Sequence, residues 1–321
     1  MGRVGRGLLV IAWVATLGAG AEARQATFRS GTELVTLNVA VLGGEADGRG
    51  RYVTGLQAEQ FEVRENGVPQ PLRFFAAGEL PLDLVLVLDL STSMRDDLTF
   101  VQQAAVRFAR TLRPGDRAAV MGIQSGLRVL QPLTSEHAAV ERAIRGTQAG
   151  GTTPLYASLY VALTELARTP GDNSPRRQAI VVLSDGADTG SAFPFAALLD
   201  AARRRGVAIY PIAPRPTRAA QRVRELATGQ RFGALDFDLR TLAGDSGGRA
   251  FFPTRLKDLD AVYADIAHEL ASQYSLAFLP SLSTRHGEFR RISVRVPGTP
   301  LICRTRSGYL ADASPAAAFD R

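Results

Sequence analysis

Three short polar segments of the chain carry side chains that can bind a metal ion. Their donor residues are Asp89, Ser91, Ser93, Thr153 and Asp185. The first three follow the apolar run 84–88, and Asp185 follows the apolar run 179–183. Carboxylate and hydroxyl oxygens are hard donors, which suit Mg²⁺, Mn²⁺ or Ca²⁺ and disfavour zinc. The sequence therefore predicts a divalent-cation site without nitrogen or sulfur ligands.

The elements that must position these donors alternate between strands and helices. Apolar runs predict strands at 84–88, 118–123, 127–130, 179–183 and 207–212. Helical periodicity predicts helices at 97–112, 136–145, 154–168, 194–205 and 256–272. Strands that are apolar on both faces and separated by helices form a parallel sheet covered on both sides. Ligands of such sheets bind at the carboxyl ends of the strands, where we expect the five donors to meet.

Strand patterns flank this α/β region on both sides. Residues 35–41 alternate between apolar and polar side chains before it, and residues 274–279 and 291–296 have strand patterns after it. Neither flank has enough strands to bury a core alone, so we expect the two to join in one small β-sandwich. The predicted fold class is α/β, with a doubly wound, mostly parallel sheet inserted between the β-rich segments of this sandwich.

The first 23 residues have the pattern of a secretory signal peptide. Arg3 and Arg6 precede the apolar stretch 8–21, and residues 21–23 have the A-x-A form of a cleavage site. The stretch is shorter than the roughly 20 residues that a membrane-spanning helix needs. We therefore expect cleavage after Ala23, no integral membrane segment afterwards, and a protein that is secreted, periplasmic or in the cell envelope.

These patterns divide the chain into five segments. They are a signal peptide at 1–23, an N-terminal β-rich segment at 26–80, an α/β domain at 81–273, a C-terminal β segment at 274–311 that packs with the first, and a disordered tail at 312–321. At roughly 150 residues per domain, the 321 residues suffice for two domains.

Composition and charge exclude several classes of protein. With 45% hydrophobic and 21% charged residues, the chain is typical of a folded protein that is neither disordered nor polytopic in a membrane. The formal net charge is +7, but the arginines that dominate it are scattered, so we expect no nucleic-acid partner. Cys303 is the single cysteine, which excludes an intrachain disulfide, and we expect it in a strand.

The sequence lacks the common signatures of enzymes. It has no phosphate-binding loop of the G-x-x-x-x-G-K-[ST] form, and no G-x-S-x-G motif surrounds Ser91. His268 and Glu269 are not followed by the second histidine of an H-E-x-x-H zinc site. Asp89 could act as the nucleophile of a phosphatase, but Ser91 stands where such enzymes carry a second aspartate. A metal-dependent hydrolase is the less favoured alternative, and we expect no enzymatic activity.

The donor segments resemble the metal-ion-dependent adhesion site of von Willebrand factor type A domains. The segments that carry this resemblance are Asp89-x-Ser91-x-Ser93, the threonine after a glycine pair, and Leu183-Ser184-Asp185-Gly186. The resemblance covers residues 81–272. The flanks are similar to secreted bacterial proteins of the acidobacterial VWFA-related type, a likeness carried by residues 53–56, 61–63, 66–67 and 306–309.

The resemblance implies a role for each donor. Ser91 and Ser93 match the hydroxyls that ligate the metal directly, and Asp89 and Asp185 match the carboxylates that hold it directly or through water. In this family the metal keeps one coordination position open for an Asp or Glu of a protein partner. The resemblance therefore implies a cation-dependent adhesion or recognition protein, with a non-enzymatic envelope scaffold carrying a structural metal as the alternative.

The loop threonine of the resemblance has two candidates in this sequence. Thr153 lies three residues before Tyr156 and directly before Pro154, as in the family's Gly-Gly-Thr-x-x-Tyr form. This sequence has an additional threonine, Thr152, directly after the glycines, and Thr152 is the alternative ligand. Thr153 also fits the position of an N-cap, because proline is favoured at the first position of a helix.

Overall fold

The computed structural model describes residues 34–44, 50–78, 80–168, 175–184, 192–215, 232–280 and 287–311. The predicted signal peptide, Asp185 and the predicted tail lie outside these ranges. The strands are β1 (Val35–Gly43), β2 (Arg51–Tyr52), β3 (Glu62–Glu65), β4 (Val68–Gln70), β5 (Leu72–Ala77), β6 (Leu82–Asp89), β7 (Arg117–Ile123), β8 (Leu127–Thr134), β9 (Arg177–Leu183), β10 (Ala208–Ile212), β11 (Tyr274–Phe278), β12 (Phe289–Arg295), β13 (Ile302–Arg304) and β14 (Gly308–Leu310). The helices are α1 (Leu98–Ala109), α2 (His137–Arg145), α3 (Leu155–Arg168), α4 (Phe195–Arg205), α5 (Phe232–Ser246) and α6 (Leu259–Ser272).

The α/β domain is built on a five-stranded sheet in the order β10-β9-β6-β7-β8. β6, β7, β9 and β10 are parallel, and β8 runs antiparallel at the edge. The chain passes from β6 to β7 on one side and later to β9 on the other side, so the strand order reverses beside β6. Such a reversal opens a crevice at the carboxyl ends of the strands, which here are the ends of β6 and β9.

Helices cover both faces of this sheet and give it two apolar cores. Leu84, Leu86 and Leu88 of β6 belong to the core shared with α1, α2 and α6. Val85 and Val87 belong to the core shared with α3, α4 and α5. Because both faces of β6 are buried, its sequence reads as a nearly continuous apolar run. The predicted fold class, a doubly wound and mostly parallel α/β sheet, is confirmed.

The flanking strands pair with each other in two further sheets. One has the order β13-β1-β11-β5 with β2 beside β1, and the other has the order β14-β12-β3-β4. The two sheets share an apolar core that includes Leu37, Leu276 and Ile292. Ala77 at the end of β5 pairs with Tyr274 at the start of β11. The α/β domain therefore leaves and re-enters this sheet at neighbouring strands.

The N-terminal flank differs from the sequence prediction after its hairpin turn. The sequence predicts one edge strand at 68–75 after Asn66-Gly67, two residues that have positive φ angles of 48° and 84° in the structure. Instead, Pro71 separates β4 and β5, which belong to different sheets. Proline has no backbone N–H to donate to a neighbouring strand, so pairing is interrupted at this position.

The sequence pattern predicts an exposed helix and loop at 215–237, and the described part of this range agrees with it, since helix α5 begins at Phe232 and Phe237 is exposed. Residues 216–231 lie outside the described ranges, and α5 extends from Phe232 to Ser246. Leu239 and Leu242 of this helix are buried in the core of the α/β domain. Glycines and aspartates weaken its helical propensity, and its packing against the sheet outweighs them. Within the described ranges, no helix combines the length and the apolar character needed to cross a membrane.

Candidate metal centre

Asp89 is the last residue of β6, and its side chain is completely buried. One carboxylate oxygen, Oδ1, accepts a hydrogen bond from the backbone N–H of Ser91 at 2.9 Å. The other oxygen, Oδ2, accepts a hydrogen bond from the hydroxyl of Ser184 at 2.7 Å. A buried carboxylate is stable only when hydrogen-bond donors replace the water that it has lost. Donors from two different strand ends therefore fix the orientation of Asp89.

The loop after β6 brings the two predicted serine ligands together. A short 3-10 turn at Thr92–Met94 bends the chain directly after Ser91. The Oγ atoms of Ser91 and Ser93 lie 2.9 Å apart as a result. Ser91 is buried and Ser93 is exposed, so the pair extends from the interior to the surface of the domain.

The loop before α3 places Thr153 against Asp89. The Thr153 hydroxyl donates to the carboxylate of Asp89, with its Oγ1 atom 3.3 Å from both Oδ1 and Oδ2. Thr152, the alternative ligand, is exposed, and its backbone N–H and C=O bond to Ser125 instead. Of the two threonines, Thr153 is thus the one that the structure brings to the carboxylate.

Backbone hydrogen bonds join the two loops of the site. The N–H of Gly150 donates to the carbonyl oxygen of Leu90 at 2.6 Å. Both the N–H and the hydroxyl of Thr92 donate to the carbonyl oxygen of Gly151 at 3.1 Å. Gly151 has φ +83°, and a Cβ atom on it would lie 2.5 Å from the Oγ of Ser125. The positive φ angle of Gly151 and its close approach to Ser125 of the β7–β8 turn therefore require glycine at this position.

Four of the five predicted donors are brought together by these contacts, namely Asp89, Ser91, Ser93 and Thr153. Asp185 lies outside the described residues. Ser184 is a polar contact of the cluster that the sequence interpretation missed, although it stands in the same segment as Asp185 at the end of a buried strand. The donor set consists of one buried carboxylate and several hydroxyls, which fits a hard divalent cation.

Other groups with metal-binding or nucleophilic chemistry belong to different elements. Cys303 lies in β13, which confirms the expected strand, and burial raises the pKa of its thiol to about 11. The thiol is therefore protonated at neutral pH. Among the residues that the structure describes, no group of three or more His, Cys, Asp or Glu side chains is arranged to hold a metal ion.

Comparison with known proteins associates this region with a domain family. The family model for the von Willebrand factor type A domain matches residues 84–187. A UPF0353 protein of Mycolicibacterium paratuberculosis is 26% identical over 210 residues, which are 58% of this chain and 60% of that protein. A UPF0353 protein of Mycolicibacterium gilvum is 26% identical over 202 residues with the same coverage. The chain thus spans about 60% of the length of these curated relatives.

Solved structures were also found that are similar to this chain at low sequence identity. A von Willebrand factor type A protein from Catenulispora acidiphila has a TM-score of 0.50 and 13% identity, and the match covers 89% of this chain and 76% of that one. The vWF domain of the type V pili tip protein Mfa5 from Porphyromonas gingivalis has a TM-score of 0.45 and 16% identity, with 59% and 94% covered. Together with the family-model match and the strand order, the first of these structures shows that the central α/β region has the fold of a von Willebrand factor type A domain.

Proposed function

We propose that this chain is an exported, non-enzymatic protein that binds a protein partner through a divalent cation. The observation that carries this proposal is the cluster of Ser91, Ser93 and Thr153 hydroxyls at the buried carboxylate of Asp89. The cluster lies at the crevice where open α/β sheets bind ligands. The family-model match supports a role in protein interaction or adhesion.

The residues that would hold the cation are Asp89, Ser91, Ser93, Thr153 and Asp185. Mg²⁺ suits this set of hard oxygens, and Mn²⁺ or Ca²⁺ are alternatives. When bound, the cation would supply an electrophilic centre for an Asp or Glu carboxylate of the partner. Hydroxyl ligands are neutral, so they leave more positive charge for that carboxylate than carboxylate ligands do. Ser93 is exposed, which gives a partner access to the site.

A calorimetric titration of the full chain with MnCl₂, MgCl₂ or CaCl₂ tests cation binding. We expect saturable binding by the wild type, and binding at least about tenfold weaker in Ser93→Ala because one ligand is lost. Ser293→Ala is the matched control, since Ser293 is also exposed but lies in β12 of the β-sandwich. A folded wild-type chain that binds none of Mg²⁺, Mn²⁺ and Ca²⁺ in this titration contradicts the proposal.

A second experiment separates a partner-binding site from a scaffold with a structural cation. Electron–nuclear double resonance on the Mn²⁺-loaded chain can detect acetate labelled with ¹³C in its carboxylate, which stands in for the partner's Asp or Glu. A ¹³C coupling from acetate, without one from labelled acetamide, supports an open coordination position. If Mn²⁺ raises the melting temperature of the chain but labelled acetate gives no ¹³C coupling to Mn²⁺, the hypothesis of a scaffold with a structural cation replaces the proposal.

A further inference from the structure

Ser184 and Asp89 stand side by side at the carboxyl ends of neighbouring strands, Asp89 as the last residue of β6 and Ser184 directly after β9. Leu183 at the end of β9 pairs with Leu88 of β6. The residues that come after them, Ser184 and Asp89, are therefore neighbours at this edge of the sheet. Both side chains are buried, with 4% of Ser184 and none of Asp89 exposed. The backbone N–H of Ser184 donates to the carbonyl oxygen of Ile212 at 3.1 Å, which ties its backbone to β10. Ser184 is therefore held on both sides by the sheet.

The hydroxyl of Ser184 makes a shorter contact with the carboxylate than the hydroxyl of Thr153 does. Its Oγ lies 2.7 Å from Oδ2 of Asp89, whereas Oγ1 of Thr153 lies 3.3 Å from both carboxylate oxygens. Hydroxyl–carboxylate hydrogen bonds are charge-assisted and strongest at short distances. Ser184 thus fixes one carboxylate oxygen more firmly than Thr153 does.

We infer that Ser184 is a positioning residue that orients Asp89 for cation binding, an inference that rests on the proposed function. With Oδ2 fixed by Ser184 and Oδ1 fixed by the N–H of Ser91, the carboxylate plane cannot turn. A fixed carboxylate accepts the hydrogen bond of the Thr153 hydroxyl from one direction, and a hydroxyl that donates a hydrogen bond keeps its lone pairs for a cation. Ser184 therefore acts on the cation through Asp89. Groups that orient metal ligands in this way affect metal affinity strongly.

Substitution of Ser184 tests this inference through the affinity for Mn²⁺, measured by calorimetry on the full chain. We expect Ser184→Ala to weaken Mn²⁺ binding by about tenfold or more. Ser158→Ala is the matched control, because Ser158 is equally buried and its Oγ has no hydrogen-bond partner among the described residues. We expect Ser158→Ala to bind Mn²⁺ as tightly as the wild type. Thermal unfolding without metal shows whether each variant is folded.

A pair of variants of equal shape separates the hydroxyl from the packing of the side chain. Ser184→Thr keeps the hydroxyl and Ser184→Val replaces it with a methyl group, so the two differ only in the donor to Asp89. We expect the Thr variant to bind Mn²⁺ at least about tenfold more tightly than the Val variant. If the Thr and Val variants bind Mn²⁺ with equal affinity, the inference is overturned. This comparison remains valid even if Ser184→Ala does not fold.

The outcomes distinguish this inference from the function on which it rests. If the folded wild type binds none of Mg²⁺, Mn²⁺ and Ca²⁺, the proposed function fails. If the wild type binds Mn²⁺ and loss of the Ser184 hydroxyl leaves the affinity within about twofold, the cation site stands and the role of Ser184 is refuted.

Discussion

At the level of residues, the candidate site is built around the buried carboxylate of Asp89. Asp89 accepts hydrogen bonds from the loop after β6, from the loop before α3 and from Ser184 at the end of β9. Each of these segments is far from the others in sequence, but the carboxyl ends of the strands bring them together. Among the described residues, Ser184 and Thr153 contact Asp89 through hydroxyl groups, which are neutral oxygen donors beside its negative charge.

The two adjacent threonines provide a test at this scale. Thr153→Val removes the hydroxyl that contacts Asp89 while keeping the shape of the side chain. We expect it to weaken Mn²⁺ binding by at least about tenfold. Thr152→Val is the control, because Thr152 is exposed and bonds to Ser125 through its backbone. The reverse ranking in a calorimetric titration would assign the ligand to Thr152.

At the level of elements, the loop before α3 contains one left-handed glycine, Gly151, at the point where this loop approaches the β7–β8 turn. Gly151→Ala forces a side chain into a conformation with positive φ and places its Cβ against Ser125. We expect a loss of about 1–3 kcal/mol in the free energy of unfolding, together with weaker Mn²⁺ binding. Urea denaturation and calorimetry measure the two effects.

Gly126→Ala serves as the control for this substitution. Gly126 lies in the neighbouring turn, does not have a left-handed conformation, and has open space where a Cβ would be placed. We expect its free energy of unfolding to stay within about 0.5 kcal/mol of the wild type. Equal losses of stability in the two variants would mean that the left-handed conformation of Gly151 and its approach to Ser125 have no special role.

The elements of the α/β domain were largely predictable from the sequence, because their signals are local. The apolar run before Asp89 predicts a buried strand. Ser91 and Ser93 follow this run directly, which predicts that they lie at the carboxyl end of the strand. The contact between Ser184 and Asp89 could not be predicted, since it depends on the register of β9 against β6. The split at Pro71 was missed for a similar reason, because the sheet that each half joins is decided by strands at the other end of the chain.

A buried polar cluster joins the β-sandwich to the α/β domain at the scale of the whole molecule. Glu269 of α6 is completely buried and forms an ion pair with Arg304 of β13. The hydroxyl of Tyr52 in β2 donates to its Oε2 at 2.8 Å, and the hydroxyl of Tyr210 in β10 donates to its Oε1 at 3.2 Å. A buried carboxylate with such partners is costly to leave unpaired, so the cluster fixes the two parts to each other.

This cluster predicts how stability depends on alkaline pH. Burial, with a smaller effect of the neighbouring Glu269, raises the pKa of Tyr52 from 10.0 to about 12. Between these two pH values the unfolded chain releases the phenol proton while the folded chain retains it. The contribution of Tyr52 to stability is therefore complete below pH 10 and is lost as the pH rises toward 12.

Tyr52→Phe removes this titration and keeps the ring that packs edge-on against His268. We expect the free energy of unfolding of the variant to fall less steeply than that of the wild type between pH 10 and pH 12. Urea denaturation at a series of pH values measures the two slopes. Parallel pH profiles would show that Tyr52 has the same pKa in the folded and unfolded chain.

The pairing of β1 with β11 has a consequence for the time order of folding during synthesis. The ribosome completes β1, β3 and β5 before it makes any residue of the α/β domain, yet β1 and β5 pair with β11, and β3 pairs with β12. The α/β domain consists of contiguous residues and can fold as soon as it emerges. Long-range strand pairing is slow and leaves unpaired strands open to aggregation. Closure of the β-sandwich thus has to wait for the synthesis of β11 and β12, and a nascent chain that stops before β11 carries strands that cannot find their partners.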